Sequence, residues 1–426
     1  MRYTISHPTK KIIGTIELTA SKSESNRALI IQALCSEKFE ISNLAKAQDT
    51  VTLNQILHSD VTQSEVEGAL LDVGAAGTTM RFLAAYFSTK IGTHTLTGSE
   101  RMKKRPIGIL VNALRDLGAH IQYLDKEGYP PLKITGKALK GGEIEMDGNV
   151  SSQFISALLL ISPELQNGLV IKFKGEVTSR PYINMTLKMM EEFRVYGQWH
   201  ENSISVSKQN YHKKSEEDYT YKVEGDWSAV SYWYAMVALS SEADLTIKGL
   251  KHPSLQGDSI LADVFTFFGV KTEYLTDGIR ITKNRIKDEH FGFDFSDCPD
   301  IAQTVAVVVS ALKIPALFNG LHTLRIKETD RIEALKVELK KVGTEVEILN
   351  DNSIKIIPPK VVTLSGVEGQ QLTTIQTYED HRMAMAFSAL AMKLNEITIE
   401  DPEVVKKSYP NFWNDLKSLG FEIKES

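Results

Sequence analysis

Along this chain, six almost wholly apolar runs of helical length each open on a cluster of polar or charged residues. They are 28–34 behind Ser25, Asn26 and Arg27, 82–87 behind Gly77, Thr78, Thr79 and Arg81, and 154–161 behind Ser151, Ser152 and Gln153. The other three are 232–239 behind Asp226, Trp227 and Ser228, 304–312 behind Asp300 and Gln303, and 383–392 behind Asp380, His381 and Arg382. A helix apolar on every side is a buried helix. Its first turn carries unpaired N–H groups and a partial positive charge, so it attracts anions. Six such ends predict one composite site for a highly anionic ligand.

Amphipathic runs alternate with the buried ones, at 105–117, 182–193, 258–268, 330–342 and 409–419, with a shorter one at 50–57. Four of them end alike, on Leu117-Gly118, Phe268-Gly269, Val342-Gly343 and Leu419-Gly420, and an alternating segment follows each. Glycine there suits the left-handed cap that stops a helix. The alternation after it suits a half-buried strand. A repeat of roughly 70–80 residues emerges: buried helix, strands, amphipathic helix, strands. Such a unit is too long for the usual solenoids and mixes helix with strand. It predicts α/β modules, three to a domain, with the buried helices inside and sheets and outer helices around them.

The polar stretch 208–217 has no apolar period and reads as a loop, which sets a domain boundary at 221–226. The opening strand pair, 3–18, precedes the first buried helix and is assigned to the second domain. The domains are then 20–223 and 1–19 plus 224–426. The two crossings, near 19–22 and 223–226, make a hinge. One continuous N-terminal domain is the alternative.

The length of 426 residues allows two or three domains. With 42% hydrophobic and 24% charged residues, the composition is that of an ordinary globular protein. A net charge of −5 argues against nucleic acid or a membrane surface as an obligatory partner. The chain has no apolar run of about 18 residues and no signal-peptide stretch at its start. A cytoplasmic protein is expected. The two cysteines, Cys35 and Cys298, suggest neither a disulfide framework nor a Cys-rich zinc site.

Several clusters carry candidate chemistry. At 21–27, Lys22 supplies a compact cation and Arg27 a planar fork for carboxylate or phosphate, beside the hydroxyls of Ser21, Ser23 and Ser25. Simple helix capping is the plainer reading. At 72–81, glycines lead into a helix and allow close backbone approach to an anion, but the spacing and lysine of a P-loop are missing. Arg101, Lys103, Lys104 and Arg105 oppose a helix macrodipole, which suggests a ligand partner as well as a solvated basic loop. At 324–331, Thr329 or Asp330 reads as the cap, with Glu333 supporting a capping box from Asp330, which leaves Lys327, Glu328 and Arg331 unexplained. His381 reads as a structural donor before a proton carrier. Lys406 and Lys407 read first as a basic turn.

Taken together these segments closely resemble the 5-enolpyruvylshikimate-3-phosphate synthase (3-phosphoshikimate 1-carboxyvinyltransferase) family. Its motifs run in order over nearly the whole chain: 21–27, 74–81, 101–106, Ser151-Ser152-Gln153, Ser179-Arg180-Pro181-Tyr182, Val223-Glu224-Gly225-Asp226, Pro299-Asp300, 327–331, Asp380-His381-Arg382 and Lys407-Ser408-Tyr409-Pro410. The resemblance implies a two-domain inside-out α/β barrel, each domain holding three βαβαββ repeats around buried helices, with the active site in the cleft between domains. It implies transfer of the enolpyruvyl group of phosphoenolpyruvate to the 5-hydroxyl of shikimate 3-phosphate, with loss of phosphate, through a tetrahedral intermediate. No cofactor or metal is implied, and a monomer is expected.

Carried over by motif, Ser23, Arg27, Ser151, Ser152, Gln153, Ser179, Tyr182, Asp300 and Lys327 would hold shikimate 3-phosphate. Lys22, Gly77, Arg105, Gln153, Arg331, Arg382 and Lys407 would face phosphoenolpyruvate. Glu328 would give a proton to C3 and later take one back. Asp300 would partner the 5-hydroxyl, and Lys22 would share the proton work. Ala75 and Thr323 stand where the family commonly has asparagine, and Phe82 where it commonly has proline. Gly77 is retained, so the inhibitor glyphosate is expected to bind. The sister transferase acting on UDP-N-acetylglucosamine usually carries a reactive loop cysteine, which 101–105 lacks. A non-catalytic anion-binding protein on the same fold is the remaining alternative.

Overall fold

The computed structural model describes residues 1–59, 69–215, 217–286, 289–359 and 373–426. The chain divides into two units. The first is Ala20–Val223, and the second joins Met1–Thr19 to Glu224–Ser426. Described helices of the first are α1 (Lys22–Leu34), α2 (Gln48–Leu57), α3 (Gly77–Thr89), α4 (Gly108–Asp116), α5 (Ser152–Ile161) and α6 (Arg180–Glu192). Those of the second are α7 (Trp227–Leu239), α8 (Leu261–Phe267), α9 (Ala302–Leu312), α10 (Arg331–Lys340), α11 (His381–Ser388) and α12 (Phe412–Ser418).

The six apolar runs become α1, α3, α5, α7, α9 and α11, three to a unit, and each is buried over most of its length. In α7 every residue but Ser228 is buried. Each buried large apolar side chain contributes about 1.5–3 kcal/mol, so these helices supply much of each unit's core.

One supersecondary pattern recurs. A strand leads through an inner helix to a parallel neighbour, then through an outer helix to a hairpin that returns antiparallel to that neighbour. Ala69–Asp72, Gly92–Thr97, His120–Tyr123 and Leu132–Gly136 follow this path around α3 and α4. Gly142–Asp147, Leu169–Lys174, Gly197–His200 and Ser203–Val206 repeat it around α5 and α6. Phe291–Asp294, Ala316–Asn319, Glu345–Asn350 and Ser353–Ile357 repeat it around α9 and α10.

Two further sheets borrow strands from the N-terminus. Lys11–Glu17 is the parallel neighbour of Glu242–Lys248, and Arg2–Ser6 lies between Ile397–Glu400 and Glu422–Glu425. In the sixth repeat Thr220–Lys222 pairs in parallel with Glu40–Ser42, so the leading strand arrives last in sequence. The stretch after α2 in that repeat runs into 60–68, outside the described residues. With helices within and sheets without, the architecture is the inside-out α/β barrel of βαβαββ repeats.

The four glycine stops hold. Gly118, Gly269, Gly343 and Gly420 have φ of 102°, 74°, 84° and 91°. At Gly269 a Cβ would also lie 2.5 Å from the Asn284 carbonyl oxygen, so space and backbone both demand glycine. Helix starts shift from expectation where proline intervenes. The run 105–117 begins only at Gly108, beyond Pro106, and 409–419 begins at Phe412, beyond Pro410. The run 258–268 opens as a 3₁₀ turn, Gly257–Ile260, before α8. Conversely, α6 starts early, at Arg180, with Pro181 in its first turn. Among the described residues no helix is long and apolar enough to cross a membrane.

Candidate active site

In the first unit the starts of α1, α3 and α5 lie together. Arg27 sits 5.7 Å from the Phe82 ring and donates to Ser156 Oγ at 2.9 Å, and Arg81 sits 5.9 Å from the Phe154 ring. All five residues belong to the first two turns of their helices, so three partial positive ends fall side by side. The remaining Arg27 acceptors are Thr186 Oγ1 (2.7 Å), the Ser23 carbonyl (2.8 Å) and the Tyr182 carbonyl (3.3 Å). Burial draws the Arg27 pKa down to about 10, so it stays cationic at neutral pH. Its hydrogen bonds go to neutral acceptors, with Glu24 acting on it only through its charge, so the guanidinium still suits an anion.

Ser151 caps α5, its Oγ accepting from the Gln153 N–H at 3.4 Å, and Ser152 and Gln153 fill the first turn. Ser179 is buried just ahead of α6, with a left-handed φ of 54°. Lys22 Nζ lies 3.5 Å from Asp49 Oδ2.

Arg105 lies flat on the start of α3. A Cβ on Gly77 would be 2.5 Å from Arg105 Nη1 and 2.9 Å from Nη2. The buried Nε of Arg105 has no hydrogen-bond partner among the described residues. Arg81 braces this arrangement from behind, donating to the Gly77 carbonyl (3.0 Å) and the Pro106 carbonyl (3.1 Å). Phe82 is buried beneath Arg27, whereas Ala75 is exposed.

In the second unit the starts of α7, α9 and α11 also converge. Ser231 Oγ meets Thr304 Oγ1 at 3.0 Å, and Arg382 donates to the Tyr232 hydroxyl at 3.4 Å. Around them runs a continuous network of ion pairs. Arg331, almost wholly buried at the start of α10, reaches three carboxylates: Asp380 from Nε (2.7 Å), Asp300 from Nη1 (3.0 Å) and Glu328 from Nη2 (3.0 Å). Lys407 Nζ holds the other Glu328 oxygen at 2.8 Å. Arg382 Nη2 and Lys327 Nζ lie 3.0 Å and 3.5 Å from Asp300. Asp330 caps α10, accepting from the Ile332 and Glu333 N–H groups, which accounts for that residue of the 324–331 cluster.

Charge balance sets the protonation states. Burial alone would raise the Asp300 pKa, but Arg382, Lys327 and Arg331 together overcome it and hold the carboxyl well below its ordinary range. Burial lowers the Lys327 pKa, with Asp300 pulling the other way. For Arg331, burial is outweighed by Asp380, Glu328 and Asp300, which raise its pKa and keep it cationic. Asp300 is thus an ionised hydrogen-bond acceptor, and Glu328 is clamped by two cations.

Among residues expected from sequence, Asp300, Lys327, Glu328, Arg331, Arg382 and Lys407 meet in this one network. Arg27, Ser23 and Tyr182 meet in the first unit, as do Gly77 and Arg105. Asp380 was visible in sequence only as part of a motif. It caps α11 through the Arg382 N–H (2.8 Å) while pairing with Arg331. Tyr232 gave no sequence signal, because it lies inside an apolar run. His381 is buried beside Asp380, with Nδ1 3.8 Å from its Oδ1. Among the described residues no group of three or more His, Cys, Asp or Glu is arranged to hold a metal ion.

Inner helices whose starts gather under paired cations and carboxylates, on this barrel, define the enolpyruvyl transferase fold. Solved structures agree. An EPSP synthase from Acinetobacter baumannii superposes with TM-score 0.77 at 20% identity, covering all of both chains. The enolpyruvyl transferase NikO from Streptomyces tendae gives 0.74 at 13%, over all of this chain and 99% of its own. A family model described as EPSP synthase (3-phosphoshikimate 1-carboxyvinyltransferase) matches residues 6–416. A curated relative from Bacteroides fragilis, named 3-phosphoshikimate 1-carboxyvinyltransferase, is 50% identical over all of this chain and 99% of its own. Another of the same name, from Photobacterium profundum, is 38% identical over 97% of each. The chain belongs to the EPSP synthase family.

Proposed function

We propose that this chain transfers the enolpyruvyl group of phosphoenolpyruvate to the 5-hydroxyl of shikimate 3-phosphate and releases phosphate, a step in aromatic amino acid biosynthesis. The observation that carries the reading is Glu328 held by Arg331 and Lys407 beside an ionised Asp300 held by Arg331, Arg382 and Lys327.

Ser23, Arg27, Ser151, Ser152, Gln153, Ser179, Tyr182 and Lys327 hold shikimate 3-phosphate. Lys22, Gly77, Arg105, Gln153, Arg331, Arg382 and Lys407 hold phosphoenolpyruvate. Each phosphate and carboxylate needs charge-assisted partners; Arg27 gives its hydrogen bonds to neutral acceptors, and the buried Nε of Arg105 has no hydrogen-bond partner among the described residues.

The chemistry is addition followed by elimination. The 5-hydroxyl oxygen bonds to C2, its proton passing to Asp300 with Lys22 sharing the work, while C3 gains a proton from Glu328. Elimination then returns a methyl proton to Glu328 and breaks the C2–O bond to phosphate. An arriving phosphate competes with Glu328 for Arg331 and Lys407, and the released carboxylate takes up a proton from solvent before it serves C3. The same two cations, with Arg382, stabilise charge on the departing phosphate. Glyphosate, an anion of similar charge, competes for Gly77, Arg105 and these cations. The chain acts as a monomer, checked by its mass in size-exclusion chromatography.

A coupled phosphate-release assay tests the reading. Release with phosphoenolpyruvate and shikimate 3-phosphate, and none with UDP-N-acetylglucosamine as acceptor, is expected. Release with only the nucleotide sugar would assign the sister reaction, and release with neither would leave an anion-binding protein.

A further inference from the structure

Two non-glycine residues with left-handed backbone stand together just ahead of the Asp380-His381-Arg382 cluster. Tyr378 has a φ of 54° and Glu379 of 58°. The chain leaves the edge strand Thr374–Ile375 and reaches the start of α11 at His381 across 376–380. The Asp380 N–H closes this turn on the Thr377 carbonyl at 2.9 Å. A side chain with a Cβ rarely adopts such a φ, so surrounding contacts must hold the pair in place.

Those contacts come from one face of α10. Glu338 is fully buried there. The Tyr378 hydroxyl donates to its Oε1 at 2.7 Å, and the Gln376 N–H donates to its Oε2 at 3.1 Å. Lys341, just beyond α10, donates from Nζ to the same Oε2 at 2.6 Å and to the Thr374 carbonyl at 2.9 Å. Burial first, and then the Glu338 carboxylate, raise the Tyr378 pKa, so the phenol keeps the proton it donates. About two helical turns back on the same face, Arg331 binds Asp380 at 2.7 Å. Helix α10 thus grips the segment both before and after Glu379. Asp380 Oδ1 then accepts the Arg382 N–H at 2.8 Å, and Arg382 Nη2 reaches Asp300 at 3.0 Å.

We infer that Glu338 is a positioning residue for Arg382: its clamp on Tyr378 and Gln376 holds the strained turn from which α11 starts, and so aims the Arg382 guanidinium at the phosphate of phosphoenolpyruvate. Arg331 fixes Asp380 but leaves Gln376 and Tyr378 to Glu338. Without that carboxylate the left-handed pair relaxes, and the start of α11 shifts with it. Asp300 keeps Arg331 and Lys327, so the shikimate 3-phosphate side is spared. This inference rests on the assignment of Arg382 to phosphoenolpyruvate.

The test is steady-state kinetics of the full chain with each substrate varied, beside amide hydrogen exchange over 376–382. Glu338→Ala is expected to raise KM for phosphoenolpyruvate about tenfold and to lower kcat about tenfold, because Arg382 also stabilises charge on the departing phosphate. KM for shikimate 3-phosphate should move less than about twofold. Glu338→Gln retains an acceptor for the Gln376 N–H and a partner for the Tyr378 hydroxyl, and should bring KM for phosphoenolpyruvate back to within about threefold of wild type. Tyr378→Phe removes one bond of the clamp and should raise that KM about threefold. A merely structural Glu338 would lower the melting temperature and leave the ratio of the two KM values unmoved. That result in a folded Glu338→Ala overturns the inference. Should Glu338→Ala not fold, a wild-type KM for phosphoenolpyruvate in Tyr378→Phe overturns it equally. An inactive wild type would instead overturn the proposed function, whereas exchange over 376–382 no faster in Glu338→Ala than in wild type would overturn the clamp itself.

Discussion

A single methyl group on Gly77 tests how phosphoenolpyruvate is held. The added Cβ would lie 2.5 Å from Arg105 Nη1 and 2.9 Å from Nη2, against an ordinary carbon–nitrogen contact of about 3.5 Å. The backbone of α3 is braced by Arg81 at the Gly77 carbonyl, so the guanidinium is the part that gives. It retreats by about 1 Å, enough to spoil a charge-assisted hydrogen bond worth about 1.5–3 kcal/mol. That converts to a rise of roughly 10- to 150-fold in KM for phosphoenolpyruvate. Glyphosate should weaken at least as much. Gly77 lacks a positive φ, so alanine in the first turn should leave the fold intact and raise stability slightly. Steady-state kinetics with each substrate varied, with inhibition by glyphosate and a thermal melt, make the measurement. A folded Gly77→Ala with wild-type KM for phosphoenolpyruvate would refute the placement of Arg105 over Gly77 as the reason for glycine there.

Glu328→Gln should lower kcat by 10²- to 10⁴-fold while shikimate 3-phosphate still binds in a calorimetric titration, because it removes the proton carrier and keeps the shape. Near-normal turnover would exclude that role. Asp380→Asn should cost about 3–5 kcal/mol in denaturant unfolding, since Arg331 loses a buried partner at 2.7 Å. Stability within 1 kcal/mol of wild type would show that the remaining carboxylates suffice. His94 is buried against Phe87, and burial lowers its pKa below the ordinary imidazole value. The folded chain therefore resists its protonation. The resulting stability is complete above about pH 6.5 and declines as pH falls through that value toward the lowered one. His94→Phe should flatten the fall in melting temperature between pH 7 and 5, and an unchanged slope would exclude His94 as its source.

Periodicity made the inner helices legible because α1, α3, α5, α7, α9 and α11 are apolar on all faces, and no surface helix can be. The glycine stops were legible for a local reason, a left-handed residue after a helix. Strand partnership was not. Nothing in Glu40–Ser42 points to Thr220–Lys222, because a parallel pair is set by packing of the whole unit and not by its own side chains. Of the site, motif clusters showed which cations and carboxylates were out of place for a surface. They did not show that Arg27 would be ringed by neutral acceptors or that Arg331 would bind three carboxylates, since those partners come from distant segments.

Phosphate release in a single turnover, measured against consumption of shikimate 3-phosphate, tests most directly whether the two charged clusters serve one reaction. Wild type should release one phosphate for each shikimate 3-phosphate consumed. Arg27→Ala in one unit and Glu328→Gln in the other should each release almost none on that timescale. Wild-type release from either folded variant would contradict the account.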